Sequence, residues 1–321
     1  MLHRFATLVA CCTLLLVIAG SLVTSTGSGL SVPDWPTTYG WSIFTFPLSK
    51  MAGGIFFEHT HRLIASSVGF LTIILAGWIW WRDDRRWMRR LGLAALACVI
   101  AQGVLGGLTV LFFLPPALSI AHASLAEIFF CLAVSLALFT SPGWRSPQMP
   151  SVDDVRLRQL AATTTVVIFG QILVGATMRH LGAGLAIPDF PLAFGRVLPP
   201  DWSTPIAVHF AHRVGGLLAS AAIFATTVYI VTRHRDRAEL VGPAVAMAGL
   251  VLIQIVLGGL TVLSGKVLII NTAHVATGAL ILSISLVVTL RTFQVRFTGS
   301  AERIPNPPER AVVPSAVGAR A

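Results

Sequence analysis

Residues 91–112, LGLAALACVIAQGVLGGLTVLF, run for 22 positions without a charged side chain. A helix needs about 20 apolar residues to cross the roughly 30 Å hydrocarbon core of a bilayer. Eight such runs lie at about 7–25, 55–81, 91–112, 118–140, 159–178, 205–232, 241–263 and 268–290. Because a backbone in lipid must satisfy its own hydrogen bonds, each run is predicted to be a helix. The predicted fold class is therefore an all-α integral membrane protein with eight transmembrane helices.

The positive charge is concentrated in alternate connections between these runs. The net charge is +10, but only 11% of residues are charged, against about a quarter in soluble domains. If the helices alternate in direction, seventeen arginines share one side: Arg4, Arg82, Arg85, Arg86, Arg89, Arg90, Arg145, Arg156, Arg158, Arg233, Arg235, Arg237, Arg291, Arg296, Arg303, Arg310 and Arg320. The other side has only Lys50, Arg179, Arg196 and Lys266. By the positive-inside rule this predicts a multi-pass protein of a bacterial-type plasma membrane with both termini cytoplasmic, and it argues against a nucleic-acid partner.

The chain repeats itself once. The element Gly27-Ser28-Gly29-Leu30-Ser31-Val32-Pro33-Asp34-Trp35-Pro36 recurs as Gly182-Ala183-Gly184-Leu185-Ala186-Ile187-Pro188-Asp189-Phe190-Pro191. The segment Glu58-His59-Thr60-His61-Arg62 recurs as His209-Phe210-Ala211-His212-Arg213. Residues 102–111 recur as 254–263, and Ala121-His122 recurs as Ala273-His274. The offsets between matched blocks are 155, 151, 152 and 152 residues. Because each half has an even number of helices, the halves should share one orientation, as two parallel four-helix bundles. We predict an N-terminal half at 1–150, a C-terminal half at 151–296 and a disordered cytoplasmic tail at 297–321.

Four histidines follow this repeat: His61, His122, His212 and His274 lie near the outer starts of the second, fourth, sixth and eighth runs. Ionisable groups at membrane depth are expensive and are functional candidates. Heme iron accepts axial histidines from two sides, so each half is predicted to hold one heme-type ligand between two histidines. The four cysteines all lie in predicted helices and complete neither a zinc site nor an outer-loop disulfide.

Charged residues close to these histidines distinguish the two halves. Arg62 and Arg213 each follow a site histidine and are predicted to pair with heme propionates, the alternative being interfacial charges. Glu58, on the helical face of His61, is the candidate proton carrier, and its counterpart is His209. The N-terminal half is therefore the better candidate for chemistry. The pattern assigns no role to His59 or to Glu127.

Two further features repeat. The outer loops with Pro-Asp-aromatic-Pro could cover the sites or simply lie at the interface. The glycine pairs 106–107 and 258–259 favour tight helix packing, with close approach to a flat ligand as the second interpretation.

At these residues the sequence resembles the heme A synthase family, and the likeness covers nearly all eight runs. The resemblance implies an oxidoreductase that converts the C8 methyl of heme O to a formyl group by two hydroxylations and loss of water. It implies that His61 and His122 flank the substrate heme with Glu58 nearby, and that His212 and His274 ligate a heme b cofactor. Heme O synthase, cytochrome oxidase assembly factors and an electron donor that the sequence does not identify are implied partners, and a homo-oligomer is left open.

The first loop departs from the family pattern. Many bacterial members carry a cysteine pair there, one of them just before Pro-Asp-Trp-Pro, where this chain has Val32. Two other functions compete with the enzyme. A diheme b-type electron carrier would not need Glu58, and a transporter should have helices broken near the membrane midplane.

Overall fold

The computed structural model describes residues 1–145 and 153–294, and within them the chain is helical apart from turns and loops. The helices are α1 (Leu2–Ser25), α2 (Gly54–Arg82), α3 (Arg86–Leu111), α4 (Pro116–Thr140), α5 (Pro142–Arg145), α6 (Val155–His180), α7 (Thr204–Arg233), α8 (Ala238–Leu263) and α9 (Leu268–Thr292). All except the single turn α5 are long and apolar enough to cross a membrane. The prediction of an all-α protein with eight membrane-spanning helices is confirmed. The predicted boundary at 150 and the tail at 297–321 lie outside the described residues.

Local signals set several helix ends. Pro116 occupies the first turn of α4, where a missing N–H costs nothing. Asp154 caps α6, its side chain accepting a hydrogen bond from the Leu157 amide at 3.0 Å. Helix α6 therefore begins four residues before the predicted apolar run at 159.

Corresponding helices make corresponding contacts in the two halves. Helix α1 packs against α2 and α4, as α6 packs against α7 and α9. Between the halves, α4 contacts α6 and α9, and α1 contacts α9. The pattern agrees with two four-helix units joined through α1, α4, α6 and α9, while their relation by a parallel pseudo-twofold axis stays a prediction.

Each half has its own apolar core, and large apolar side chains also point outward. Leu75, Met88 and Phe129 are among the buried residues of the first core. In contrast, Phe70, Val166 and Leu217 are 63%, 70% and 69% exposed. Outward apolar side chains of this size would be a liability in water, but in a membrane they contact lipid.

The arginine-rich end of the first half is organised around Asp83, which is 3% exposed. Its carboxylate accepts hydrogen bonds from the Arg85 and Arg145 guanidinium groups at 2.7 and 2.6 Å. Burial by itself raises the pKa of Asp83, but these hydrogen bonds and positive charges outweigh it and leave the pKa below its ordinary value. The carboxylate thus ties the α2–α3 connection to α5, the single turn that follows α4.

Two long loops lie at the opposite ends of these helices. We call residues 26–53 the first loop and 181–203 the second loop, and we call this end of the molecule the loop face. Each contains one 3-10 turn, at Leu48–Lys50 and Ala183–Leu185. Each also closes a tight turn, through the bridges Thr38 to Trp41 and Ala193 to Arg196. The loops are therefore folded rather than extended.

Candidate functional site

The four repeated histidines all lie within the first nine residues of their helices, next to the loop face. His61 is on α2, His122 on α4, His212 on α7 and His274 on α9. All four are partly buried. These are the second, fourth, sixth and eighth membrane-spanning helices, so each half has two of the histidines.

In the second half the two histidine rings lie close together in an edge-to-face arrangement. The ring centroids of His212 and His274 are 6.4 Å apart, and their planes are inclined at 70°. Bonds from a metal ion to imidazole nitrogen are about 2 Å long, so two rings that bind one ion from opposite sides have centroids roughly 6 Å apart. The separation therefore fits two histidines that would hold one heme iron between them.

In the first half, His61 on α2 and His122 on α4 lie on helices that both pack against α1. Nδ1 of His61, of His122 and of His274 is buried without a hydrogen-bond partner among the described residues. Because buried polar atoms in native proteins are nearly always paired, a group of unpaired ring nitrogens points to a ligand. Within residues 1–145 and 153–294, no group of three or more His, Cys, Asp or Glu side chains could hold a metal ion, so the arrangement is one of histidine pairs.

Every site histidine packs against a glycine of a neighbouring helix. A Cβ added to Gly20, Gly106, Gly175 or Gly258 would lie 3.1, 2.9, 2.9 or 3.1 Å from Cε1 of His61, His122, His212 or His274, respectively. Contacts under 3.0 Å are essentially never made by real Cβ atoms, and those at 3.1 Å are unusually tight. The four glycines therefore set how closely each ring approaches the adjacent helix.

The second glycine of each predicted pair has a different role. A Cβ on Gly107 would lie 2.4 Å from Cδ2 of Trp35, and one on Gly259 would lie 2.7 Å from Cδ1 of Phe190. The aromatic residue of each Pro-Asp-aromatic-Pro element thus inserts against α3 or α8. In each glycine pair, the first glycine contacts a site histidine and the second contacts the aromatic residue of a loop. These contacts are more specific than general helix packing.

Glu58 and its counterpart His209 hold the same backbone position of the two loops. The Val32 amide donates a hydrogen bond of 2.8 Å to Oε2 of Glu58, and the Ile187 amide donates one of 3.2 Å to Nδ1 of His209. Both side chains are 3% exposed. The two halves therefore differ in the charge of the side chain that anchors the loop at this position.

Arg62 and Arg213 bind loop carbonyl groups. Arg62 donates to the carbonyl oxygens of Val32, Asp34 and Thr37 at 2.7–2.9 Å and to Oε1 of Glu58 at 2.7 Å. Arg213 donates in the same way to the carbonyl oxygens of Ile187, Asp189 and Leu192. The two arginines therefore fix the loops over the helices that carry the site histidines.

The guanidinium groups of Arg62 and Arg213 differ in which of their nitrogens have hydrogen-bond partners. Nε of Arg213 is buried and has no hydrogen-bond partner among the described residues. Four hydrogen bonds occupy the two terminal nitrogens of Arg62, one of them to a carboxylate. Pairing with a heme propionate stays a prediction for both residues, and Arg213 has a buried donor to offer for it.

Glutamines touch three of the histidine segments. Gln102 donates to the His122 carbonyl at 2.9 Å, and Gln171 donates to the His212 carbonyl at 2.7 Å. The Gln171 amide also lies 3.0 Å from Nδ1 of His212, and Gln254 lies 3.4 Å from Nε2 of His274. Such outer contacts orient coordinating imidazoles.

Comparison with known proteins identifies the family that has this architecture. A family model described as cytochrome oxidase assembly protein matches residues 3–286. The heme A synthase of Halalkalibacterium halodurans is 30% identical over 295 residues, which cover 88% of this chain and 94% of that protein. That of Alkalihalophilus pseudofirmus is 29% identical over 273 residues, covering 84% and 89%. That of Rhizorhabdus wittichii is 28% identical over 330 residues, covering 88% and 91%. The chain belongs to the heme A synthase family. The resemblance inferred from the histidine and loop motifs is thereby confirmed.

Three residues of the site in this heme A synthase family member, which are Gly20, Gly175 and Gln171, were not identified from the sequence. Gly20 and Gly175 are 155 residues apart, the offset of the loop blocks, so a complete alignment of the halves could have found them. Gln171, four residues before Gly175, carries no sequence signal that separates it from other polar residues within helices.

Two residues without a predicted role are also placed. His59 lies in the first loop's contacts, with Nδ1 3.0 Å from the Thr38 hydroxyl and its ring 4.9 Å from that of Phe46. Glu127 lies five residues beyond His122 on α4, and its Oε2 is buried without a partner among the described residues. His59 therefore helps to hold the first loop in place, whereas Glu127 stays unassigned.

Proposed function

We propose that this protein is a heme A synthase, an oxidoreductase that converts the C8 methyl of heme O to a formyl group by successive hydroxylations. The substrate heme lies between His61 and His122, and a heme b cofactor lies between His212 and His274. The observation that carries the proposal is the pair of rings His212 and His274 at 6.4 Å, repeated by sequence in the first half. The relatives named heme A synthase support the choice of substrate.

The second half supplies the fixed cofactor site. When bound, heme b provides one-electron redox chemistry next to the substrate site. His212 and His274 would hold this heme through their ring nitrogens, and Gly175 and Gly258 leave room for their rings. Arg213 has a buried, unpaired Nε–H, and we assign a heme propionate as its acceptor.

The first half positions the substrate and moves protons. His61 and His122 bind the heme, and Glu58 accepts or donates a proton in a space closed by the first loop. Its contacts with Val32 and Arg62 hold the carboxylate at the loop, three residues from His61 on the same helical face. At this position the second half has His209 in place of a carboxylate, which is why we place the chemistry in the first half.

The first loop covers the site without a disulfide. Val32 is fully buried where many family members have cysteine, and its amide is bound by Glu58. Arg62 and Asp34 add further hydrogen bonds within the loop. We infer that this network replaces the covalent link. The protein then works in the plasma membrane with both termini cytoplasmic and receives heme O, with heme O synthase and cytochrome oxidase assembly factors as partners.

The test is to purify the full chain from a host that makes heme O, extract its hemes and separate them by chromatography with mass detection. We expect heme A, or its hydroxymethyl precursor, together with heme b. His274→Ala should lose heme b because one axial ligand is removed. If heme b is the sole heme extracted despite available heme O, the result would contradict the enzyme and favour an electron carrier.

The same extraction tests Glu58. Glu58→Gln keeps an oxygen that can accept the Val32 amide but removes the charge and the transferable proton. We expect heme A output to fall at least tenfold, an ordinary loss for a general acid–base residue, while heme b content stays unchanged. Unchanged heme A output would show that Glu58 serves only to anchor the loop.

A further inference from the structure

The boundary between the two halves contains a polar junction at the loop face. Arg179, the penultimate residue of α6, donates to the Ser21 carbonyl at 2.7 Å and to the Ser21 hydroxyl at 3.3 Å. It also donates to the Ser25 hydroxyl at 2.8 Å. Both serines are on α1. A single guanidinium thus joins the first helix of one half to the first helix of the other.

Asn271 extends this junction to a third helix. Its Nδ2 donates to the same Ser25 hydroxyl at 2.9 Å. Asn271 is three residues before His274 on α9, so the two side chains lie on the same face of that helix. The Ser25 oxygen therefore links Arg179 to the helical turn that carries a proposed heme ligand.

The helices joined here also carry the glycines behind the site histidines. Gly20, which contacts the His61 ring, precedes Ser21 on α1. Gly175, which contacts the His212 ring, is one turn before Arg179 on α6. Any shift at the junction would move supports of both sites.

The junction also brings a positive charge close to the second site. Through the shared Ser25 hydroxyl, the Arg179 guanidinium is linked by two hydrogen bonds, of 2.8 and 2.9 Å, to Asn271, one helical turn before His274. The three hydrogen bonds of Arg179 to side chains and backbone all end on uncharged oxygens. Because arginine keeps its proton and partly buried charges are weakly screened, this positive charge acts on its surroundings.

We propose that Arg179 is a positioning residue shared by the two sites: it fixes α6 against α1 and α9, and its charge raises the reduction potential of the heme held by His212 and His274. This inference rests on the proposed function. Reduction of ferric to ferrous heme removes one positive charge from the site. A nearby cation therefore disfavours the ferric form and favours the ferrous one.

The experiment is a spectroelectrochemical titration of purified, heme-loaded full-length protein. We expect Arg179→Gln to lower the equilibrium constant for reduction of heme b about tenfold, which is about 59 mV for a one-electron couple. Arg179→Lys retains the charge and should stay near wild type. Arg196→Gln, which removes an exposed arginine from the second loop, is the matched control and should change the constant by less than twofold.

A second pair of variants removes the charge effect without removing the guanidinium. Ser25→Asp places a carboxylate beside Arg179 and should lower the constant in the same direction, whereas Ser25→Asn should not. This pair applies even if Arg179→Gln fails to fold. A heme-loaded protein in which neither Arg179→Gln nor Ser25→Asp shifts the potential more than Arg196→Gln would overturn the role of Arg179. Wild-type protein that binds no heme b would instead contradict the proposed function on which it rests.

Discussion

At the scale of single residues, glycine positions the site as much as histidine does. Four glycines on α1, α3, α6 and α8 each face one histidine ring with no room for a Cβ at ordinary contact distance. Ring placement matters because a metal ligand must be held within about half an ångström of its working position. Loss of a glycine should therefore affect ligand binding more than stability.

Gly175→Ala tests this in the proposed heme b site. Its Cβ would lie 2.9 Å from Cε1 of His212 and displace the ring. We expect at least a tenfold loss of affinity for heme b, measured by heme titration of the apoprotein, in line with disrupted support of metal ligands.

The control for this variant is Gly170→Ala on the same helix, where an added Cβ meets nothing within 4 Å. Alanine there should keep heme affinity and stabilise α6 by up to about 1 kcal/mol. Equal heme affinity in the two variants would refute the proposed role of Gly175.

At the scale of secondary-structure elements, the two loops are built on one plan with different side chains. Asp34 accepts hydrogen bonds from the amides of Tyr39 and Gly40, and Asp189 accepts them from the amides of Phe194 and Gly195. Burial raises the pKa of Asp34, but these amides and the Thr37 hydroxyl outweigh it, and its pKa lies below the ordinary value. For Asp189, the hydrogen bond from the Gly195 amide is the largest cause of a lowered pKa.

The lowered pKa values predict how the loops respond to acid. A carboxylate whose pKa is lower in the folded protein contributes stability above its unfolded pKa, about 3.9, and loses it as the pH falls through the folded value. The loops should therefore stay closed at neutral pH and loosen below about pH 4. Hydrogen exchange across residues 26–53, followed by mass spectrometry, measures this.

Asp34→Asn is the variant for that measurement. The amide replaces a charged acceptor that receives three hydrogen bonds, so we expect a cost of about 1 kcal/mol and roughly fivefold faster exchange in the first loop at pH 7. Asp201→Asn changes an exposed carboxylate of the second loop and should leave exchange unchanged. A first loop that exchanges equally in both variants would argue against Asp34 as its organiser.

At the scale of the whole molecule, the arginine distribution predicts which end faces the cytoplasm. The loop face should be extracytoplasmic, and the end that holds Asp83 and the arginines around it should be cytoplasmic. Leu48 in the first loop is 82% exposed, and Asp84 between α2 and α3 is also exposed.

Single cysteines at these two positions test the orientation. With a membrane-impermeant maleimide on intact cells, Leu48→Cys should be labelled at least tenfold more than Asp84→Cys, because only the loop face is reachable. The parent chain, whose four cysteines are free and lie in helices, sets the background. Preferential labelling of Asp84→Cys would reverse the proposed topology.

The sequence by itself determined the eight helices, the repeat and the histidine positions. Helix length and polarity are dictated by the thickness and dielectric of the bilayer, which act on each segment separately, so local patterns suffice to find spans and expensive intramembrane residues. The family resemblance also depended on short motifs such as Glu58 to Arg62.

Only the tertiary structure decided which residues meet. The pairing of Gly20 with His61, the anchoring of Val32 by Glu58, the use of Arg62 on loop carbonyls and the junction at Arg179 all join segments distant in sequence. Membrane helices are apolar on most of their circumference, so the pattern of apolar residues does not fix how each helix is rotated. Close packing of small residues and hydrogen bonds between helices fix that rotation, and they exist only once the helices are assembled.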